Sequence, residues 1–155
     1  MEDYSVQAKE IINKILYITI ATVSPNGEPW NTPVYSSFDE EYNFFWVSDQ
    51  YSRHSKNIAS NKNVFLAIYD STAKEGTGRG VYIQAEASMI IDKQEIERIL
   101  KYQYGRKNKP TRPVTDFIQE SPRRVYKAVP KQVWINTADK INGHHVDKRI
   151  EVKLR

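Results

Sequence analysis

The sequence predicts a mainly β fold, a β-barrel of antiparallel strands with peripheral helices. Three observations carry that expectation. About seven segments are rich in β-branched and aromatic residues, tight polar turns separate most of them, and few stretches show helical spacing. Ser5 can cap a first helix, in which Ala8, Ile11, Ile12, Ile15 and Leu16 recur at the spacing of one buried face. From Tyr17 the period changes to that of a strand, running to Val23. Pro25-Asn26-Gly27 then turns the chain into a hairpin that returns through Trp30 to Phe38. Asp39-Glu40-Glu41 turns it again into a third strand, Asn43 to Ser48. Ser52 caps a short helix to Ser60 with Asn61 as its stop, and Asn63 to Tyr69 is a fourth strand.

The second half follows the same logic. After the polar loop Ala73 to Gly80, Val81 to Ile91 forms a long fifth strand. Asp92 and Glu95 have the spacing of a capping box, and Ile96, Ile99 and Leu100 mark the inner face of the next helix. A shorter helix covers Thr115 to Glu120. Arg123 to Val129 and Lys131 to Asn136 read as two strands flanking Pro130, and Val146 to Leu154 as an eighth. With no repeats and no long linker, residues 1–155 read as one domain.

Composition narrows the function classes. A chain of 155 residues that is 39% hydrophobic and 27% charged can bury a core. It has no cysteine, which excludes a disulfide framework, a thiol nucleophile and Cys-ligated metal sites. His54, His144 and His145 are the only histidines, and adjacent histidines on a strand face opposite ways, so no metal site is expected. No apolar run approaches a membrane span, and Met1-Glu2-Asp3-Tyr4 has no leader-like pattern, so a cytoplasmic protein with no membrane partner is expected. The net charge of +4 is mild. Lys101 to Lys109 alternates bases and aromatics, but it falls at a helix end, where cations complement the dipole, and no nucleic-acid partner is expected.

Chemistry concentrates where the third strand hands over to a helix, at Ser48, Ser52, Arg53, His54 and Lys56. The first turn of a helix offers unpaired N–H groups and the positive end of its dipole. Arg53 and Lys56, three residues apart on one face, can close on one phosphate, with Ser52, Ser55 and His54 as further donors.

Four pieces in order also resemble a family. A second strand carrying Asn31-Thr32-Pro33-Val34-Tyr35 precedes an aromatic third strand ending in Ser48. The Ser-Arg-x-x-Lys helix start with Asn57-Ile58 follows, and then Asn63-Val64-Phe65-Leu66. Together they resemble the FMN-binding split barrel of the pyridoxamine 5′-phosphate oxidase-like superfamily. Val81 to Ala87 and Val125 to Trp134 are similar to its middle and closing strands, so the resemblance covers roughly residues 8–137.

The resemblance implies a six-stranded split barrel that forms a homodimer, with FMN in grooves between the subunits. It implies that Asn31, Thr32, Pro33 and Val34 run along the isoalloxazine and that Val47 and Ser48 lie near the ribityl chain or phosphate. Ser52, Arg53, His54 and Lys56 would hold the phosphate, Gln84 would meet the pyrimidine edge, and Trp134 would pack on the flavin from the partner subunit. The implied activity is that of a flavin-dependent oxidoreductase acting on a small-molecule substrate. The Arg-x-His element that grips pyridoxamine phosphate is missing from Asn142 to Arg149, so that substrate is not carried over. Relatives of the same fold that hold a deazaflavin or a haem remain alternatives, the latter with His54, His144 or His145 as axial ligand, as does a flavin-binding protein that never turns over.

Overall fold

A computed structural model describes residues 3–155; Met1 and Glu2, the start of the stretch read above for a leader, lie outside the described residues. The chain forms α1 (Tyr4–Lys14), β1 (Tyr17–Val23), β2 (Pro29–Tyr35), β3 (Ser37–Phe38), β4 (Phe44–Asp49) and α2 (Arg53–Ser60). It continues through β5 (Asn63–Tyr69), β6 (Gly80–Met89), α3 (Lys93–Arg106), a 3-10 turn (Val114–Phe117), β7 (Arg123–Ile141) and β8 (His144–Glu151). All strand pairings are antiparallel, in the order β2-β1-β5-β6-β7-β4-β3, with β8 added to β7. The sequence-predicted fold class is therefore the observed one, and the described residues form eight strands, as many as the sequence delimits but divided differently.

Strand alternation builds the core. Ile18, Ile20, Leu66, Ile68, Val81, Ile83 and Ile135 point inward from neighbouring strands, joined by Trp46 and Tyr126 and covered by Ala8 and Ile12 of α1. In β4 the opposite parity is buried as well. Phe45 packs with Val125 of β7 under Ile96, Ile99 and Leu100 of α3, so β4 is sandwiched between barrel and helix. That double burial explains its continuous aromatic run.

Local chemistry moves several boundaries. The cap of α1 is Asp3 rather than Ser5: Asp3 Oδ1 accepts the N–H groups of Ser5 and Val6 at 3.0 and 3.1 Å, and Ile15 ends the helix in extended backbone. The returning hairpin strand breaks at Ser36, which is buried and donates its N–H to the carbonyl of Leu16 at 3.0 Å, leaving β3 as a two-residue strand. The short helix expected over Thr115 to Glu120 is the tighter 3-10 turn at Val114–Phe117.

Pro130 does not divide two strands. β7 runs through it because the pairing with β6 slips there: Gln84 pairs with Gln132 while Ala85 pairs with Pro130, and Lys131 is the extra residue. A bulge is one of the places where a sheet can take a residue without an N–H. β7 then continues to Ile141, and Asn142 and Gly143, at φ 52° and 83°, turn it into β8. Beyond β8, Val152 and Leu154 are only 7% and 6% exposed and belong to the barrel core.

Candidate functional site

The site is built at the passage from β4 to α2. Asp49 Oδ1 accepts the N–H of Tyr51 at 2.7 Å, and the Ser52 hydroxyl donates to the Asp49 carbonyl at 2.8 Å, tightening the connection. Ser52 caps α2, its Oγ accepting the N–H of Ser55 at 3.4 Å. Because β4 alternates, Ser48 shares the parity of Trp46 and faces the helix, while Val47 has the parity of Phe45 and packs toward α3. His54 joins the two elements: its Nε2 lies 2.8 Å from Ser48 Oγ and 3.3 Å from Ser52 Oγ. Burial lowers the His54 pKa below its ordinary value, so the ring is neutral at neutral pH.

A second set of bonds docks α2 on the first hairpin. Buried Asn57 donates from Nδ2 to Thr22 Oγ1 at 3.0 Å, and Thr22 Oγ1 donates to the Trp30 carbonyl at 3.3 Å. The exposed face of α2 carries the cations. Arg53 pairs with Glu28 at 2.8 Å, and its guanidinium lies 4.5 Å from the centre of the Trp30 ring. Lys56 is exposed, and its side chain makes no ion pair or hydrogen bond with the described residues. The structure thus brings Ser48, Ser52, Arg53, His54 and Lys56 to one helix start. Two imidazole-linked hydroxyls, an ammonium, a guanidinium and free helix N–H groups make a donor set for a phosphate monoester.

Glu28 and Trp30 are members of this site that the sequence reading did not name. The Glu28–Arg53 pair spans 25 residues. The only local signal is that both follow the Gly27 turn (φ 85°), on the arm of the hairpin next to α2.

The second strand supplies a different surface. Among the described residues β2 pairs only with β1, which makes it an edge, and it also approaches β4 across the split. Its outer backbone face is consequently unpaired, and Pro33 is at home on such an edge. Asn31 and Pro33 are exposed, Thr32 is half-buried, and Val34 points into the core.

Gln84 and Trp134 sit elsewhere. Strand register aligns Asn31, Ala21, Phe65, Gln84 and Gln132 in one row on the outward face, and Pro33, Thr19, Ala67, Tyr82 and Trp134 in the next. Gln84 is therefore three strand spacings from Asn31, about 14 Å. It borders a shallow cavity of about 400 Å³ with Ala21, Pro29, Phe65 and Lys131. Trp134 is half-buried, and Arg149 of the adjoining ribbon lies 4.0 Å over the Tyr82 ring. His144 and His145 are both exposed at the end of that ribbon.

Residues 5–136 match the profile of the pyridoxamine 5′-phosphate oxidase family. The chain belongs to that family. No curated protein matches the sequence. Among solved structures, one similar chain is a protein of unknown function from Agrobacterium tumefaciens (TM-score 0.72, 14% identity, 88% of this chain and 57% of that one). Another is a heme binding protein from Mycobacterium smegmatis (TM-score 0.72, 15% identity, 97% of this chain and 59% of that one). A third is a putative pyridoxamine 5′-phosphate oxidase from Listeria innocua (TM-score 0.63, 17% identity, 86% of this chain and 98% of that one). The chain thus spans under two thirds of the first two relatives. At these identities the likeness establishes the split-barrel fold. Among the described residues no helix is long and apolar enough to cross a membrane.

Proposed function

We propose that this member of the family is an FMN-binding flavoprotein that works as an oxidoreductase on a small molecule, with the cofactor shared between two copies of the chain. The observation that carries the reading is the cluster at the start of α2. Lys56, whose ammonium has no partner among the described residues, stands in the first turn of α2 with Arg53, and the Ser48–His54–Ser52 network lies at the same helix start. Neutral His54 orders the two hydroxyls without adding a fixed charge, and the unpaired helix N–H groups and cations meet the phosphate. The free backbone edge of β2 offers donors and acceptors to the polar rim of a flat ring, and Pro33 offers apolar contact.

The distance of Gln84 and Trp134 from β2 along the sheet supports the two-copy arrangement. Within one chain they lie too far along the sheet to meet the same ring, whereas a second copy seated on the outward face can bring them to it. When bound, FMN supplies a site at N5 that accepts a hydride. The chain's part is to anchor the phosphate, orient the ring along β2 and limit access to its exposed face. Titration of the protein with FMN, followed by quenching of flavin fluorescence, tests the reading: saturable binding at a stoichiometry of one per chain is expected, and no saturable binding overturns it.

A heme reading is favoured by one observation of its own. His145 has the same parity as Trp134 on the β7–β8 ribbon and is exposed, as an axial ligand needs to be. His54 is unsuited to that role, since its Nε2 is engaged by Ser48 and Ser52.

A further inference from the structure

The face of α2 away from Arg53 borders a cleft of its own. Ser55, Ile58 and Ala59 recur at helical spacing, Lys62 follows just beyond the helix, and opposite them stand Ala87, Ser88 and Met89 at the end of β6. Tyr126 forms the floor. The cleft holds about 390 Å³, within the range of small-ligand sites.

Its chemistry is graded. The walls are apolar at Ile58, Ala59, Ala87 and Met89, and Met89 stays 40% exposed on an otherwise well-packed barrel. Below them the Tyr126 ring stacks on fully buried Trp46, with centroids 5.7 Å apart and planes at 10°. The Ser55 hydroxyl, 2.9 Å from Ser52 Oγ, gives the cleft a polar spot. The side chains of Gln50 and Ser88 also line the cleft, and neither has a hydrogen-bond partner among the described residues. At the rim, Glu86 is shared by Lys62 at 3.1 Å and Lys131 at 3.5 Å, so two ammonium groups face one carboxylate and one positive charge is left over.

We propose that this cleft is a second ligand site, separate from the phosphate cluster, that takes a small planar aromatic acid. The ring would lie between the Ile58–Ala59 and Ala87–Met89 walls, where dispersion contact and the expulsion of water favour a flat apolar body. Its polar end would use the open hydrogen-bonding capacity of Gln50 and Ser88, and its carboxylate would meet the surplus charge at Lys62. Ser48, Arg53, His54 and Lys56 do not line the cleft; Ser55, 2.9 Å from Ser52 Oγ, is the one residue it shares with the phosphate cluster.

Benzoate is the probe, titrated into the full-length protein as purified, with backbone amide shifts followed by NMR. Saturable shifts confined to the neighbourhood of Gln50, Ser55, Ala59, Ala87 and Ser88 are expected. Ala59→Trp, a substitution at an exposed helical position that fills the cleft, should abolish them while the rest of the spectrum is retained. Lys62→Gln should weaken binding up to about fivefold, the upper end for an exposed charge pair. The proposal is overturned by the absence of saturable shifts, by shifts centred on Arg53 and Lys56, by undiminished binding in Ala59→Trp, or by benzyl alcohol binding as tightly as benzoate.

Discussion

Arg53 and Lys56 differ in what competes for them. Lys56 has no carboxylate partner among the described residues, whereas Arg53 is already held by Glu28 and stacked on Trp30. Replacing both cations by alanine should weaken FMN binding about tenfold or more, since each charge-assisted bond contributes about 1.5–3 kcal/mol. Glu28→Gln should act in the opposite direction and tighten binding roughly two- to fivefold, because an exposed pair of about 0.2–1 kcal/mol no longer has to be broken. Fluorescence titration of the variants reads both, and unchanged affinity in the double variant would remove the phosphate assignment. His54 sets a pH dependence. Its folded-state pKa is depressed by burial, so as pH falls below the ordinary value of 6.5 the unfolded chain takes up a proton that the folded one resists. Stability is therefore full above that value and declines below it, until folded His54 also protonates. His54→Gln should flatten the slope of denaturation midpoint against pH in that window, and an unaltered slope would contradict the assignment. At this scale the cations were legible from spacing alone, but Glu28 was not. Its role depends on a hairpin being laid beside a helix, which no local pattern encodes.

At the scale of elements, α2 matters most because it is fastened on two sides. The Asn57–Thr22 hydrogen bond is buried, and removing the amide leaves Thr22 Oγ1 without its donor. Asn57→Ala should cost about 1–3 kcal/mol in denaturant melts and loosen the helix start against the Trp30 arm. A change in FMN affinity should accompany that loss of stability; full affinity in the variant would show that docking of α2 does not position the cations. α2 and β5 were readable to the residue, since Ser52, Asn61 and a clean apolar alternation all agree there. Pro130 was read as a divider because proline removes a ladder donor. The bulge at Lys131 absorbs that defect, and it is set by the pairing with β6 rather than by the residues of β7. Asp3 displaced Ser5 as the cap of α1 for a simpler reason: both can cap, and only the packing of Ala8 and Ile12 decides which turn comes first.

For the whole molecule, the C-terminal residues close the barrel. Val152 and Leu154 are buried among the core residues, and Arg155 pairs with Glu41 at 2.9 Å. Deleting residues 151–155 should lower stability by roughly 3–6 kcal/mol, at about 1.5–3 kcal/mol per buried side chain, as read from urea denaturation. The sequence placed those residues on the eighth strand, and only the barrel's closure shows that they serve the core. The outward face, with its rows ending in Gln84 and Trp134, bears on assembly. If two copies complete each site, Lys56→Ala and Trp134→Ala chains that each bind FMN weakly should regain tight sites when mixed and allowed to exchange, up to half of the sites in mixed dimers. No recovery would mean that each chain holds its cofactor alone.

The most direct test of the central claim is the visible absorption spectrum of the purified protein, followed by identification of what heat releases from it. The two bands of an oxidised flavin are expected, with FMN in the supernatant. A Soret band would contradict it and move the site to heme and His145, and a colourless protein that refuses added FMN would remove the flavin reading altogether.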